Sequence, residues 1–104
     1  MRQFHVYRNL NAAKRSAYPL LLNIQSDLMS ETGTRVVAPM APANRGMPAM
    51  PPLVPEVLVK GKPHLLVTPL LAAVEVADLG MLEADLSDAR AMIMAALDML
   101  IYGI

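Results

Sequence analysis

The chain of 104 residues has no cysteine and no tryptophan, and its aromatic residues are one phenylalanine and three tyrosines. Without thiols, neither a disulfide framework nor a thiolate metal site is available, and residence in the reducing cytoplasm is compatible with the composition. So few rings leave few stacking platforms for single-stranded nucleic acid. Charge is scarce as well, at 17% Asp, Glu, Lys and Arg with a formal net charge of zero, which argues against wholesale nucleic-acid binding. Long apolar runs are also missing. The stretch from Ala91 to Leu97 falls far short of the roughly 18 residues a membrane span needs, and Asp98 beside it would cost on the order of 3 kcal/mol in lipid, so no membrane partner is expected. The first residues, Met1-Arg2-Gln3-Phe4-His5, lack the apolar region of a signal peptide, and the expected location is cytoplasmic.

What is present is apolar for its size. Hydrophobic residues make up 55% of the sequence, enough for one domain over residues 1–104 with a modest core and more apolar surface than that core needs. A hidden interface would explain the surplus. The charges are unevenly divided. Up to Lys62 there are eight Lys and Arg against Asp27, Glu31 and Glu56, a balance of +5. From Pro63 onward Arg90 stands alone against Glu75, Asp78, Glu83, Asp85, Asp88 and Asp98, a balance of −5. Both halves read either as ordinary solvated faces or, more sharply, as a basic half that receives an acidic partner segment.

Along the chain, Gln3 to Arg8 alternates as a half-buried strand does, with Phe4 and Val6 on one side and His5 and Tyr7 on the other. Leu20 to Gln25 predicts a second strand, Asp27 to Thr34 a turn or short 3₁₀ segment, and Arg35 to Ala38 a third strand stopped by Pro39. Six prolines between Pro39 and Pro55, with Met40, Met47 and Met50 among them, predict an extended excursion: a surface loop or a partner-binding flap. Glu56–Val59 and His64–Val67 flank Lys60-Gly61-Lys62-Pro63 as a hairpin would. Leu70 to Ala73 suggests a helical turn after Pro69, and Val74–Val76 with Met81–Ala84 a last strand pair around Gly80.

From Ser87 to Ile104 the pattern is helical. Ser87 is a plausible N-cap, Asp88 suits the positive helix start, and Ala89, Met92, Ile93, Ala96, Leu97 and Leu100 form a broad apolar stripe. The remaining surface is only weakly polar, consistent with a central core helix or with a face covered by another copy or a partner. Five to seven short strands followed by one helix define an α+β domain, a small antiparallel sheet or partly open β-barrel with a long C-terminal α-helix packed on it.

No catalytic constellation is visible. His5 and His64 lack metal-ligand spacing, and there is no G-x-S-x-G, P-loop or G-x-G-x-x-G, so neither cofactor nor metal is expected. Four blocks do carry a resemblance: Gln3-Phe4-His5-Val6-Tyr7, Ile24-Gln25-Ser26-Asp27-Leu28, Thr34-Arg35-Val36-Val37-Ala38-Pro39-Met40 and Tyr102-Gly103-Ile104. In this order, and with Pro55 to Thr68 and Leu86-Ser87 also in place, they closely resemble the CcdB family of gyrase-poisoning toxins.

The resemblance implies a homodimer of a small SH3-like barrel with an added sheet and a C-terminal helix. It implies that the paired helix ends enter the A-subunit dimer of DNA gyrase and trap the cleaved DNA complex, with no bond made or broken by the toxin. It further implies a CcdA-like antitoxin that wraps the toxin and displaces it, operator DNA being bound only through that complex. By matching position, the gyrase contacts would be Leu28 and Met29 together with Asp98, Ile101, Tyr102, Gly103 and Ile104. Three of these depart from the family pattern, which has asparagine, phenylalanine and tryptophan where this chain has Asp98, Ile101 and Tyr102. Two alternatives stand beside this reading: a ribonuclease toxin of the same barrel architecture, with Arg35 as the candidate arginine, and a decayed homologue that no longer poisons.

Overall fold

The computed structural model describes residues 1–29 and 31–104. Among these residues seven strands, β1 (His5–Asn9), β2 (Leu20–Asn23), β3 (Thr34–Pro42), β4 (Glu56–Val59), β5 (Lys62–Leu66), β6 (Ala72–Glu75) and β7 (Leu79–Asp85), precede one α-helix, α1 (Arg90–Tyr102). All pairings are antiparallel and the strand order is β4-β5-β3-β2-β1-β7, with β6 joined to β3. Strand β3 is the spine. One edge pairs with β2, while the other is shared between β6 near its start and β5 near its end.

That shared edge explains how β3 runs through Pro39, where the sequence predicts a stop. The Pro39 carbonyl accepts the Val67 N–H, so the amide that proline lacks would face the place where the edge passes from β6 to β5. Its ladder with β2 is undisturbed. The Pro-rich excursion therefore begins after Pro42 and includes a small bridge between Met50 and Val54, with Val54 and Pro55 buried.

The β4–β5 hairpin forms as its turn chemistry dictates. Lys60 and Gly61 have φ of 52° and 76°, the double left-handed geometry that matches strand twist in a two-residue loop. The predicted pairing of the last two strands does not occur: β6 docks on β3 and β7 on β1, through long-range registers that no local signal encodes. Register shifts against β1 bend β7, and the sheet curls into a half-barrel. Curling brings Lys60, in the turn after β4, onto Glu83 of β7, although β4 and β7 lie at opposite ends of the strand order.

Alternation sends successive side chains to two faces. Val6, Leu22 and Ala38 are cross-strand neighbours buried in a core that also holds Phe4, Met40, Val57, Leu66, Leu86 and Ile93. Tyr7, Leu21, Val37 and Leu79 form a smaller cluster of their own. Helix α1 presents Ile93 and Ala96 to the core, both fully buried, with Ala89, Met94 and Leu97 around it. Met92, predicted on the inner stripe, is exposed, and Met94 takes its place at the core margin.

The helix also begins differently from the sequence prediction. Ser87 and Asp88 lie in a 3₁₀ turn, Ser87–Ala89, and Ser87 caps nothing. Asp85 Oδ1 instead accepts the Ser87 N–H at 2.9 Å and its hydroxyl, which holds the Asp85 carboxyl below the usual range with help from His5 and Arg2. The same carboxylate lies 3.5 Å from His5 Nε2, so His5 has an acidic neighbour that its sequence position concealed.

Candidate functional site: the helix tip and the 27–29 turn

Residues Asp27–Met29 form a short 3₁₀ turn held to its surroundings by the side chains of Gln25, Ser26 and Asp27. Asp27 Oδ1 accepts the Gln3 N–H at 2.7 Å, and Ser26 Oγ accepts the Leu28 N–H at 3.1 Å. Gln25 works in both directions: its amide nitrogen donates to the Met29 carbonyl at 2.6 Å and to Thr32 Oγ1 at 3.1 Å, and its oxygen accepts the Val36 N–H at 2.9 Å. The Gln-Ser-Asp triplet is therefore a set of local clamps that satisfies backbone groups no ladder reaches. Carried on this frame, Leu28 is 92% exposed and Met29 55%.

The far end of α1 is equally well defined. Gly103 has φ 76°, and its N–H donates to the carbonyls of Asp98 and Met99 at 3.1 and 3.0 Å, a left-handed C-cap that stops the helix. Around that cap Ile101, Tyr102 and Ile104 are 63%, 73% and 83% exposed, while Asp98 is half-buried. Fully burying apolar side chains of this size is worth about 1.5–3 kcal/mol each. This helix end leaves three of them largely in water.

Turn and tip are not neighbours within the chain. Asp27 lines a pocket with Phe4, Asp85 and Arg90, whose guanidinium sits 5.4 Å over the Phe4 ring. Arg90 opens α1 and Tyr102 closes it, about 18 Å further along the axis at 1.5 Å per residue. Leu28 and Met29 thus lie near the helix start, and Ile101 to Ile104 at its end.

Other candidates are absorbed by the fold. His64 is buried and donates from Nδ1 to the Lys62 carbonyl at 2.9 Å. Buried Arg35 donates through Nη1 to the Thr32 and Thr34 carbonyls and to Thr32 Oγ1. Among the described residues, no group of His, Asp and Glu is placed to hold a metal ion, and no helix is long and apolar enough to cross a membrane. Sequence reasoning missed Glu83, which Arg8 and Lys60 grip at 2.7 and 3.0 Å; these bonds hold its carboxyl below the usual range. Only the fold brings those three residues together, from β1, the β4–β5 turn and β7.

The chain is thus a curled antiparallel α+β half-barrel of SH3-like type whose helix ends in a capped apolar tip. The CcdB protein family matches residues 3–103, and the chain belongs to that family, the toxins of toxin–antitoxin systems. No curated protein sequence matches it.

Proposed function

We propose that the chain poisons DNA gyrase: as a homodimer it binds the gyrase A subunit and traps the cleaved DNA–enzyme complex, contributing surface rather than chemistry. The observation that carries this reading is the capped tip, where Ile101, Tyr102 and Ile104 stand exposed at the end of a helix anchored by Ile93 and Ala96. Family membership along residues 3–103 supplies the context. Leu28, Met29, Asp98, Ile101, Tyr102, Gly103 and Ile104 form the contact set. A two-fold dimer makes each contact twice, which suits a symmetric A-subunit cavity and multiplies modest single contacts. Tyr102 is the largest rigid anchor, and truncating such a residue commonly costs about 2 kcal/mol.

In the same reading a CcdA-like antitoxin neutralises the toxin and, joined to it, represses the shared operon. Incubating purified protein with gyrase, supercoiled DNA and ATP tests the poisoning step, the expected product being linear DNA released on detergent and protease treatment. Unchanged supercoiling with no linear product would refute it. The ribonuclease alternative gains nothing from Arg35, whose Nη1 donors are directed at backbone carbonyls and a hydroxyl of its own loop. Labelled RNA in the same preparation is expected to stay intact.

A further inference from the structure

Strand alternation turns Tyr7, Leu21 and Val37 to the face of the sheet opposite α1, where they cluster with Leu79 and Val74. Register sets Pro39 beside Leu21 and Ala72 beside Val37 on this same face. The loop between β1 and β2 and the 3₁₀ turn Val76–Asp78 border it, and with the sheet they form a cavity of about 170 Å³. Loop and turn are tied in place. The Leu10 N–H donates to the Asp78 carbonyl, the Tyr18 N–H to the Lys14 carbonyl and the Asn9 amide nitrogen to the Tyr18 carbonyl, each at 2.9 Å. The cavity therefore has fixed walls, and a ligand entering it orders little that is loose.

Leu21, Val37, Pro39 and Val74 make its floor apolar, while Lys14 from the loop and Asp78 from the turn bring one charge of each sign to its lining. The two charges do not pair with each other, and neither belongs to any ion pair among the described residues. Size narrows the choice of ligand. An apolar cavity of about 150 Å³ takes a guest as large as benzene, whereas drug-sized ligands need roughly 300 Å³ or more. This cavity suits one side chain of leucine or phenylalanine size. A molecule that offers such a group together with a carboxylate for Lys14 and an ammonium for Asp78 is a free α-amino acid. A residue inside a peptide carries neither backbone charge, and a chain terminus carries one.

We propose that this cavity binds a free apolar α-amino acid, its side chain on Leu21, Val37 and Val74, its carboxylate on Lys14 and its ammonium on Asp78. The inference goes beyond the gyrase reading and does not depend on it. Binding to the folded chain alone makes its stability respond to the concentration of the amino acid, by mass action.

The test titrates the isotope-labelled full chain with L-leucine and L-phenylalanine and follows its amide resonances, up to roughly 10 mM ligand so that even a millimolar Kd is seen. Saturable shifts are expected at Val37, Ala72 and Val74, with Ile93 in the other core unmoved. Leucinamide, which lacks the carboxylate, and N-acetyl-leucine, which lacks the ammonium, are each expected to bind at least about tenfold more weakly than leucine, the cost of one charge-assisted hydrogen bond. Lys14→Gln, at an exposed position, is expected to abolish the preference over leucinamide and keep that over N-acetyl-leucine. Asp78→Asn is expected to do the reverse. Ala72→Leu, also at an exposed position, fills the cavity and is expected to remove binding of all the ligands. No saturable shift with either amino acid, derivatives that bind as well as leucine, preferences unchanged in both charge variants, or shifts centred on residues 101–104 would each overturn the proposal.

Discussion

Replacing Gln25 with alanine asks whether the 27–29 turn is held as the hydrogen bonds indicate. The substitution removes three contacts at once: donation to the Met29 carbonyl, donation to Thr32 Oγ1, and acceptance from the Val36 N–H. The first two partners are exposed and regain water, so their loss is small. Val36 is half-buried, and its N–H would keep part of its desolvation cost, on the order of 1–3 kcal/mol for a buried unsatisfied group. The expected total is about 1.5–2.5 kcal/mol, read from urea denaturation at fixed protein concentration. Hydrogen exchange gives the local signature, with faster exchange at Val36, Leu28 and Met29 than at Leu22 or Ile93 in the core. A loss below about 0.5 kcal/mol with Val36 exchange unchanged would refute the clamp.

Ile93→Ala, at a fully buried position between α1 and the sheet, is expected to cost about 2–5 kcal/mol and to lower the melting temperature by 10 °C or more, on the order of 4–8 °C per kcal/mol for a domain this size, as calorimetry would record. Gly103→Ala forces a side chain into φ 76° and is expected to cost about 1 kcal/mol and fray the last turn, seen as faster amide exchange at residue 103. Acid weakens the fold through Glu83. Its folded-state pKa is depressed by Lys60 and Arg8, so its contribution is complete above the ordinary glutamate value of about 4.3 and is lost as pH falls through the depressed one. Glu83→Gln is expected to flatten that acid limb of the stability profile, measured by denaturation across the range.

Much of the fold could be read from sequence because its signals are local. The Lys60-Gly61 turn announces a hairpin by itself, and the period of Ile93, Ala96 and Leu97 announces a helix with an inner face. Reading failed where a residue's role depends on what arrives from far along the chain. Pro39 looks like a strand terminator until the edge shared by β5 and β6 is known. Ser87 looks like a cap until Asp85 occupies its hydroxyl. The pairing of β7 with β1, and with it the Arg8–Glu83–Lys60 cluster, depends on a contact spanning most of the chain.

The proposed contact set divides in the same way. The apolar character of the helix end is plain in the sequence, and the structure leaves Ile101, Tyr102 and Ile104 exposed. The separation of turn from tip was not foreseeable, since it depends on where Asp27 sits relative to Arg90. Nor was the cavity lined by Lys14 and Asp78, because its walls come from the loop before β2, the sheet and the turn before β7.

The central claim is that the helix tip is the part offered to gyrase, and removing Tyr102 to Ile104 tests it most directly. These three residues lie beyond the core anchors Ile93 and Ala96, so the shortened protein is expected to fold, with a melting temperature lowered only by the loss of the Gly103 cap, about 4–8 °C. In the gyrase cleavage assay it is expected to yield no linear DNA at concentrations where the full chain yields it clearly. Undiminished cleavage by the folded, shortened protein would contradict the account and place the gyrase contact elsewhere on the molecule.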